Sequence, residues 1–356
     1  MLRALLLAGL AVASVVESAH AASFRRLEEP AGGYDPFVEG LSDDGQWATG
    51  GDFGYGIVWN VTTGAPSIPP LGNGTVAVTD ANADGSVLVG ERYAFFGDQP
   101  SQALRWTGDG LPQDLGTASP SVVSPHVSGV SGDGSIVVGT SRQFGVEGQG
   151  AFRWTEGTGM VPLGAGSNAN DISLDGTTIV GSASLPGGGE VAVRWVHGGS
   201  AQSLGFFGDA AATDADGSAI VGSTANGDSY LWTAGGLVPL GSLPGGSGVT
   251  RATGVSNGGG VVVGFSHDAT GERAFVWTPT AGIRDLQDYL ENVQGLDLAG
   301  WTLTGADAIS GDGHVIVGHG SDPDGVPSVW AAVIPEPSTV LLLGVGLASI
   351  GASRRR

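Results

Sequence analysis

A glycine that closes a short apolar run returns along this chain at Gly50, Gly90, Gly139, Gly181, Gly222, Gly264 and Gly318, at intervals of 40, 49, 42, 41, 42 and 54 residues. A unit of this length cannot bury a hydrophobic face alone, so successive copies must stack and share a core. The unit is clearest at residues 130–164: a turn at Asp133-Gly134, an apolar run 136–138 closed by Gly139, a second run 151–154, and a third ending at Leu163-Gly164. The residues ahead of the turn supply a fourth strand.

Other positions keep the same register. Asp-Gly precedes the run in six copies, as Asp44-Gly45, Asp84-Gly85, Asp133-Gly134, Asp175-Gly176, Asp216-Gly217 and Asp312-Gly313, and Gly258-Gly259 replaces it in the sixth copy. Each copy ends its next strand on a Trp: Trp59, Trp106, Trp154, Trp195, Trp232, Trp277 and Trp330. Four short strands in a repeat of this length predict an all-β fold, a seven-bladed β-propeller of four-stranded blades. After Trp330 the chain reaches Pro335 with no further Leu-Gly strand. Residues 24–27, which belong to no complete copy, are expected to pair beside the Trp330 strand and close the ring, removing two exposed edges.

Composition narrows the function classes. Sixty-five glycines in 356 residues and only 14% charged residues suit short strands and tight turns. There is no Cys, which excludes disulfides and thiolate metal sites. All 14 basic residues are Arg; without the terminal signals the body keeps 10 basic and 33 acidic residues, a net charge near −23. Such a polyanion repels nucleic acid and anionic lipid, so neither is an expected partner.

The two ends read as addresses. Arg3, an apolar run 4–16 and Ala19-His20-Ala21 match a secretory signal peptide, with cleavage expected after Ala21. Three parts follow: 1–21 as signal, 22–333 as the repeat domain and 334–356 as a C-terminal segment. That segment has Pro335-Glu336-Pro337, an apolar run 340–351 and Arg354-Arg355-Arg356. The run is short for a stable span, and the basic tail marks a cytoplasmic C-terminus. The segment resembles the PEP-CTERM sorting signal. The resemblance implies export in a Gram-negative-type bacterium, a transient membrane anchor, processing near Pro335, Glu336 and Pro337 by an exosortase-type enzyme, and a cell-surface or extracellular destination alongside exopolysaccharide.

The repeats resemble the HAF family of extracellular repeats, through residues 151–155 with Leu163-Gly164 and residues 274–278 after 261–264. That resemblance covers most of residues 40–332 and implies an exported repeat protein without an established catalytic activity.

Candidate chemistry is sparse. Asp80, Asn82, Asp84 and Glu91 satisfy the 1, 3, 5, 12 oxygen pattern of a calcium loop, without the flanking helices. The competing role is a hydrogen-bonded hairpin turn. Apart from this possible calcium, no cofactor is expected. Gly254-Val255-Ser256-Asn257-Gly258 matches Gly-x-Ser-x-Gly, but the same Ser recurs as Ser42, Ser131 and Ser310, which makes it a turn residue. The histidines form no ligand motif and are expected in solvated or loop roles. The repeat tryptophans are expected between blades, and Arg105, Arg153 and Arg194 on the opposite strand face, pairing with turn carboxylates; an anion-binding row is the alternative. Leu286, Tyr289, Leu290 and Val293 predict a short amphipathic helix. Aromatics outside the register are the ligand candidates: Tyr93, Phe95 and Phe96 in a long loop, and Trp301. The leading reading is a non-catalytic exported scaffold that binds exopolysaccharide or surface proteins. The alternatives are a carbohydrate-active enzyme on a propeller and a calcium-dependent adhesin.

Overall fold

The computed structural model describes residues 22–30, 35–52, 54–70, 75–93, 101–108, 110–117, 122–143, 150–165, 167–246 and 248–334. Residues 22–334 form one compact unit. In chain order the strands are β1 (Ser23–Arg26), β2 (Phe37–Leu41), β3 (Trp47–Gly51), β4 (Gly56–Asn60), β5 (Pro66–Ser67), β6 (Thr75–Ala81), β7 (Val87–Tyr93), β8 (Gln102–Thr107) and β9 (Gln113–Asp114). There follow β10 (Val122–Val130), β11 (Ile136–Gln143), β12 (Gly150–Thr155), β13 (Gly159–Ala165), β14 (Ser167–Ile172), β15 (Thr178–Ser184), β16 (Glu190–Val196), β17 (Gln202–Thr213), β18 (Ala219–Thr224), β19 (Ser229–Thr233) and β20 (Gly236–Pro239). The last are β21 (Thr250–Val255), β22 (Val262–His267), β23 (Glu272–Thr278), β24 (Gly282–Asp285), β25 (Thr302–Ile309), β26 (Val315–Ser321) and β27 (Pro327–Val333).

The strands form antiparallel sheets of four: β2–β5, β6–β9, β10–β13, β21–β24, and β25–β27 completed by β1. The 12-residue β17 pairs with β16 through its first half and with β18 through its second, so β14–β20 form one continuous sheet of seven strands. The N-terminal strand lies where the sequence placed it, with Phe24 opposite Ala332 and Arg26 opposite Trp330.

Each first hairpin is tied by its own turn. Ser42 Oγ donates to Asp44 Oδ1 at 2.6 Å and accepts from Trp47 N, while Gly45 takes a positive φ and donates to Ser42 O. Ser131 with Asp133 and Ser310 with Asp312 repeat the arrangement. Neighbouring turns are joined by backbone bonds such as Asp44 N to Ala83 O, Gly132 N to Leu174 O and Asn257 N to Gly311 O, and Gly311 N donates to Asp43 O of the first repeat. Ser256 Oγ accepts from Val261 N, so the Gly-x-Ser-x-Gly match is a turn.

The core lies between successive sheets. One cluster joins Val87, Val89 and Ala103 to Val127, Phe152 and Trp154, and another joins Ala48, Ile57 and Trp59 to Val317, Val329 and Ala331. Six of the seven repeat tryptophans are buried, and Trp232 is partly so. Trp59 Nε1 donates to Glu28 O and Trp106 Nε1 to Pro70 O. Two of the three arginines differ from the expected carboxylate pairing: Arg194 stacks over Trp232 of the next repeat at 4.6 Å, and Arg105 lies 5.8 Å from Trp154 and donates to Gly134 O. Each clamps one repeat to the following one.

The helix forecast holds in part. α1 (Leu286–Asp288) is capped by Asp285, which accepts from Asp288 N, and widens into a π-type turn over Tyr289–Val293. Leu286 and Leu290 are fully buried, whereas Val293 is exposed. Among the described residues no helix is long and apolar enough to cross a membrane.

Candidate functional site

The repeating glycines create the site. Each faces the first strand of its own sheet, and just beyond it that strand bulges by one residue: Glu39, Thr79, Ser128, Asn170, Ala211, Thr253 and Asp307. The bulge brings the strand so close that a Cβ on Gly139 would lie 2.1 Å from His126 O. The bulged residues line a shared central cavity of about 180 Å³. Ser128, Asn170 and Thr253 each donate to a carbonyl of the next repeat, namely Ala169 O, Ala210 O and Ala306 O.

The cavity is acidic. Among the described residues its walls carry Glu39, Asp43, Asp80, Asp171, Asp214 and Asp307 and no basic side chain. Asp80 accepts from Ala81 N at 2.8 Å and from Val130 N of the next repeat at 2.9 Å. Asp171 does the same with Ile172 N at 2.7 Å and Thr213 N at 2.8 Å. These carboxyls satisfy N–H groups that the bulges free from the ladder. Burial pushes Asp80 up to about 8, reinforced by the charge of Asp171, and pushes Asp171 up to about 7.

A second group gathers at the end of the cavity remote from the Asp-Gly turns. His126 Nδ1 lies 3.1 Å from Glu91 Oε1, and His319 Nδ1 lies 2.8 Å from Asp307 Oδ2 with Nε2 3.9 Å from Glu272. Enclosure by protein pushes Glu39 up to about 7, although it still reaches water in the cavity; His126 opposes this rise while Glu91 and Asp307 add to it. The hydrogen bond that His319 Nδ1 donates to Asp307 raises the imidazole above its usual range. Two imidazole–carboxylate pairs thus stand beside a carboxyl whose proton affinity is raised. No sequence motif announces this group, because its members come from β2, β7, β10, β23, β25 and β26; Glu39 and Asp307 share the bulge position, and Glu91 and His319 each directly follow a repeating glycine. His126 and His319 keep contact with solvent, as expected, and each is in addition paired to a carboxylate.

The calcium-loop residues are not brought together. Asp80 is in the cavity wall, Asn82 accepts from Val87 N and donates to Gly132 O, Asp84 accepts from Ser86 N at an exposed turn, and Glu91 faces His126. The hairpin geometry separates ligands that a loop between helices would converge. Trp301, expected to be an exposed ligand contact, is 7% exposed and meets Phe24 edge-on at 5.4 Å beside Leu286, Leu290 and Leu298. It packs because the insertion that carries it folds back over the last two repeats. Tyr93 ends β7, is 36% exposed, and its hydroxyl is held by Glu91. Phe95, Phe96, Pro335, Glu336 and Pro337 lie outside the described residues.

Residues 333–356 match the PEP-CTERM protein-sorting motif. The motif implies an exported chain, transiently anchored in the membrane and processed by an exosortase. No curated protein matches the chain. Among solved structures the chain is similar to an oligogalacturonate lyase from Vibrio parahaemolyticus, with a TM-score of 0.54, 13% identity, and coverage of 89% of this chain and 98% of that one. An oligogalacturonate lyase in complex with manganese gives 0.55, 15%, 89% and 97%. The β-propeller domain of the Trilobed protease from Pyrococcus furiosus, described as having an open velcro topology, gives 0.55, 9%, 84% and 94%. At these identities the likeness shows the fold alone, an all-β arrangement of the propeller type.

Proposed function

We propose that the chain is an exported, non-catalytic binding or structural scaffold of the cell surface or extracellular matrix, a seven-bladed propeller of HAF-type repeats whose ring is closed by β1. The closure rests on the β1–β27 register, the Gly311–Asp43 bond and the cluster that joins first and last repeats. The size of the central cavity carries the non-catalytic reading. About 180 Å³ is below the range of roughly 300–1,000 Å³ usual for small-molecule sites, and the deepest carboxyls already accept two backbone bonds each. A saccharide chain is therefore met by the faces of the disc, and the acidic body favours a neutral glycan over an acidic one. The test is to incubate the purified protein with the producing strain's exopolysaccharide. Retention without new reducing ends is expected; depolymerisation would overturn this reading.

One observation favours an enzyme instead: Glu39, with a proton affinity near neutrality, stands among the ionisable groups of Glu91, Asp307 and His126. Neighbouring carboxyls are the groups used in glycoside cleavage. If reducing ends form and Glu39→Gln abolishes them, that reading replaces the first.

A further inference from the structure

The repeats differ from one another most on one face. The first strand of each sheet runs from the face remote from the Asp-Gly turns toward those turns, so its early residues stand at the cavity mouth on that remote face. Directly ahead of the bulge every copy keeps a buried Val or Ala, from Val38 to Ala306. One residue earlier the copies have Phe37, Ala77, His126, Asn168, Asp209, Arg251 and Gly305. A position that seven copies of one scaffold fill with seven different residues is not set by the packing they share.

The same face carries the exposed rings. Among the described residues four aromatic side chains are exposed: Phe37 at the start of β2, Tyr55 in the β3–β4 hairpin, Tyr93 at the end of β7, and Phe207 where β17 passes from one repeat to the next. Strand direction puts all four on the face remote from the Asp-Gly turns. Phe37 and Tyr55 belong to the first repeat and Tyr93 to the second, and polar groups stand beside them. Glu91 holds the Tyr93 hydroxyl and lies 3.1 Å from the half-exposed imidazole of His126, while Glu39 follows Phe37 by two residues and reaches water. On the opposite face the carboxylates serve their own turns: Asp44 accepts from Ser42 Oγ and Gln46 N, Asp133 from Ser131 Oγ and Ser135 N, and Asp175 from Ser173 Oγ and Thr177 N.

We propose that the first and second repeats form, on the face remote from the Asp-Gly turns, a binding site for a neutral polysaccharide, with Phe37, Tyr55 and Tyr93 as platforms for the C–H faces of its sugar rings and Glu39 and His126 as hydrogen-bond partners of its hydroxyls. This rests on the reading of the chain as a glycan-binding scaffold and names where that scaffold binds. Flat apolar rings beside hydrogen-bonding groups match a ligand with an apolar face and a rim of O–H donors. The acidic body repels an anionic glycan. A basic peptide would be drawn equally to the acidic Asp-Gly face, where no aromatic side chain of the described residues is exposed, so the rings single out the sugar.

The test is affinity electrophoresis of the purified protein through gels that contain the neutral fraction of the producing strain's exopolysaccharide, for wild type, Phe37→Ala, Tyr55→Ala, Tyr93→Ala and Leu111→Ala. Leu111 is 74% exposed in the β8–β9 turn of the opposite face and serves as the control. Wild type should be retarded, each ring substitution should weaken the affinity by about three- to tenfold, and Leu111→Ala should leave it unchanged. Tyr55→Ala and Tyr93→Ala remove exposed rings and so keep the fold. Retardation that these two variants retain in full would overturn the site and leave the glycan-binding reading standing. No retardation of wild type by the neutral fraction would also overturn the proposal; the whole exopolysaccharide, run in parallel, then shows whether the broader reading survives. Retardation of wild type that disappears when sodium chloride is raised to about 0.5 M would mark a charge-driven contact and overturn the assignment to a neutral sugar.

Discussion

Gly181 pairs with Ala169, the residue directly ahead of the bulge at Asn170, and a Cβ on this glycine would lie 1.9 Å from Asn168 O. The glycine that sets the sequence period is thus the partner of the bulge that shapes the cavity. The period is legible in the sequence because the close approach tolerates no side chain at any copy.

Gly181→Ala should therefore cost about 3 kcal/mol or more, since the obstacle is backbone and cannot rotate away. Gly157→Ala, where no atom lies within 4 Å of the added carbon, should stay within about 0.5 kcal/mol of wild type. Urea unfolding of both variants checks this; equal midpoints would refute the role given to the bulge.

The sequence conveyed the turns, the strand runs and the pairing of the N-terminal strand with the last one, because each follows from local periodicity and short-range turn chemistry. It did not convey the group at the cavity end. His126 and Glu91 are 35 residues apart, and His319 meets Glu272 from a different sheet. Their meeting depends on where each bulge points, which no local pattern encodes. The calcium loop has the right spacing, but Asp80 at the end of β6 staples two backbone N–H groups, Asn82 and Asp84 are spent on the bonds of the tight turn, and Glu91 on β7 faces His126. Trp301 misled because an aromatic outside the repeat register reads as surface until the insertion around it is seen to fold back.

Leu27 follows β1, is fully buried, and donates its N–H to Val329 O. Leu27→Ala should destabilise the whole protein by about 3 kcal/mol, in a single transition. If the loss were confined to a separate early transition, with the main one unmoved, the N-terminal strand would be an accessory and not part of the cooperative core.

Arg194 over Trp232 joins two repeats without a carboxylate partner. Arg194→Ala should lose about 1 kcal/mol, and Arg194→Lys should recover little of it, because the planar guanidinium also donates to Gln202 Oε1. Raising the salt concentration should change the difference between wild type and Arg194→Ala only slightly. A large salt effect would instead point to pairing with turn carboxylates.

The cavity carboxyls set the direction of the pH dependence. Asp171 is raised to about 7 and Asp80 to about 8 from 3.8, so the folded state holds protons that the unfolded chain releases. A raised carboxyl stabilises the fold fully below its unfolded value, and that stabilisation is lost as pH rises through the folded value. His319, raised by Asp307, runs the same way, its contribution present below the ordinary imidazole range and lost above its folded value. Tm should fall between about pH 5 and pH 9. Asp80→Asn and Asp171→Asn should lower Tm at the acid end, since an amide has one acceptor for two N–H groups, and should each flatten the fall. A wild-type Tm that is level over this range, or an unchanged slope in both variants, would show that these carboxyls are ionised in the fold and that water in the cavity solvates them.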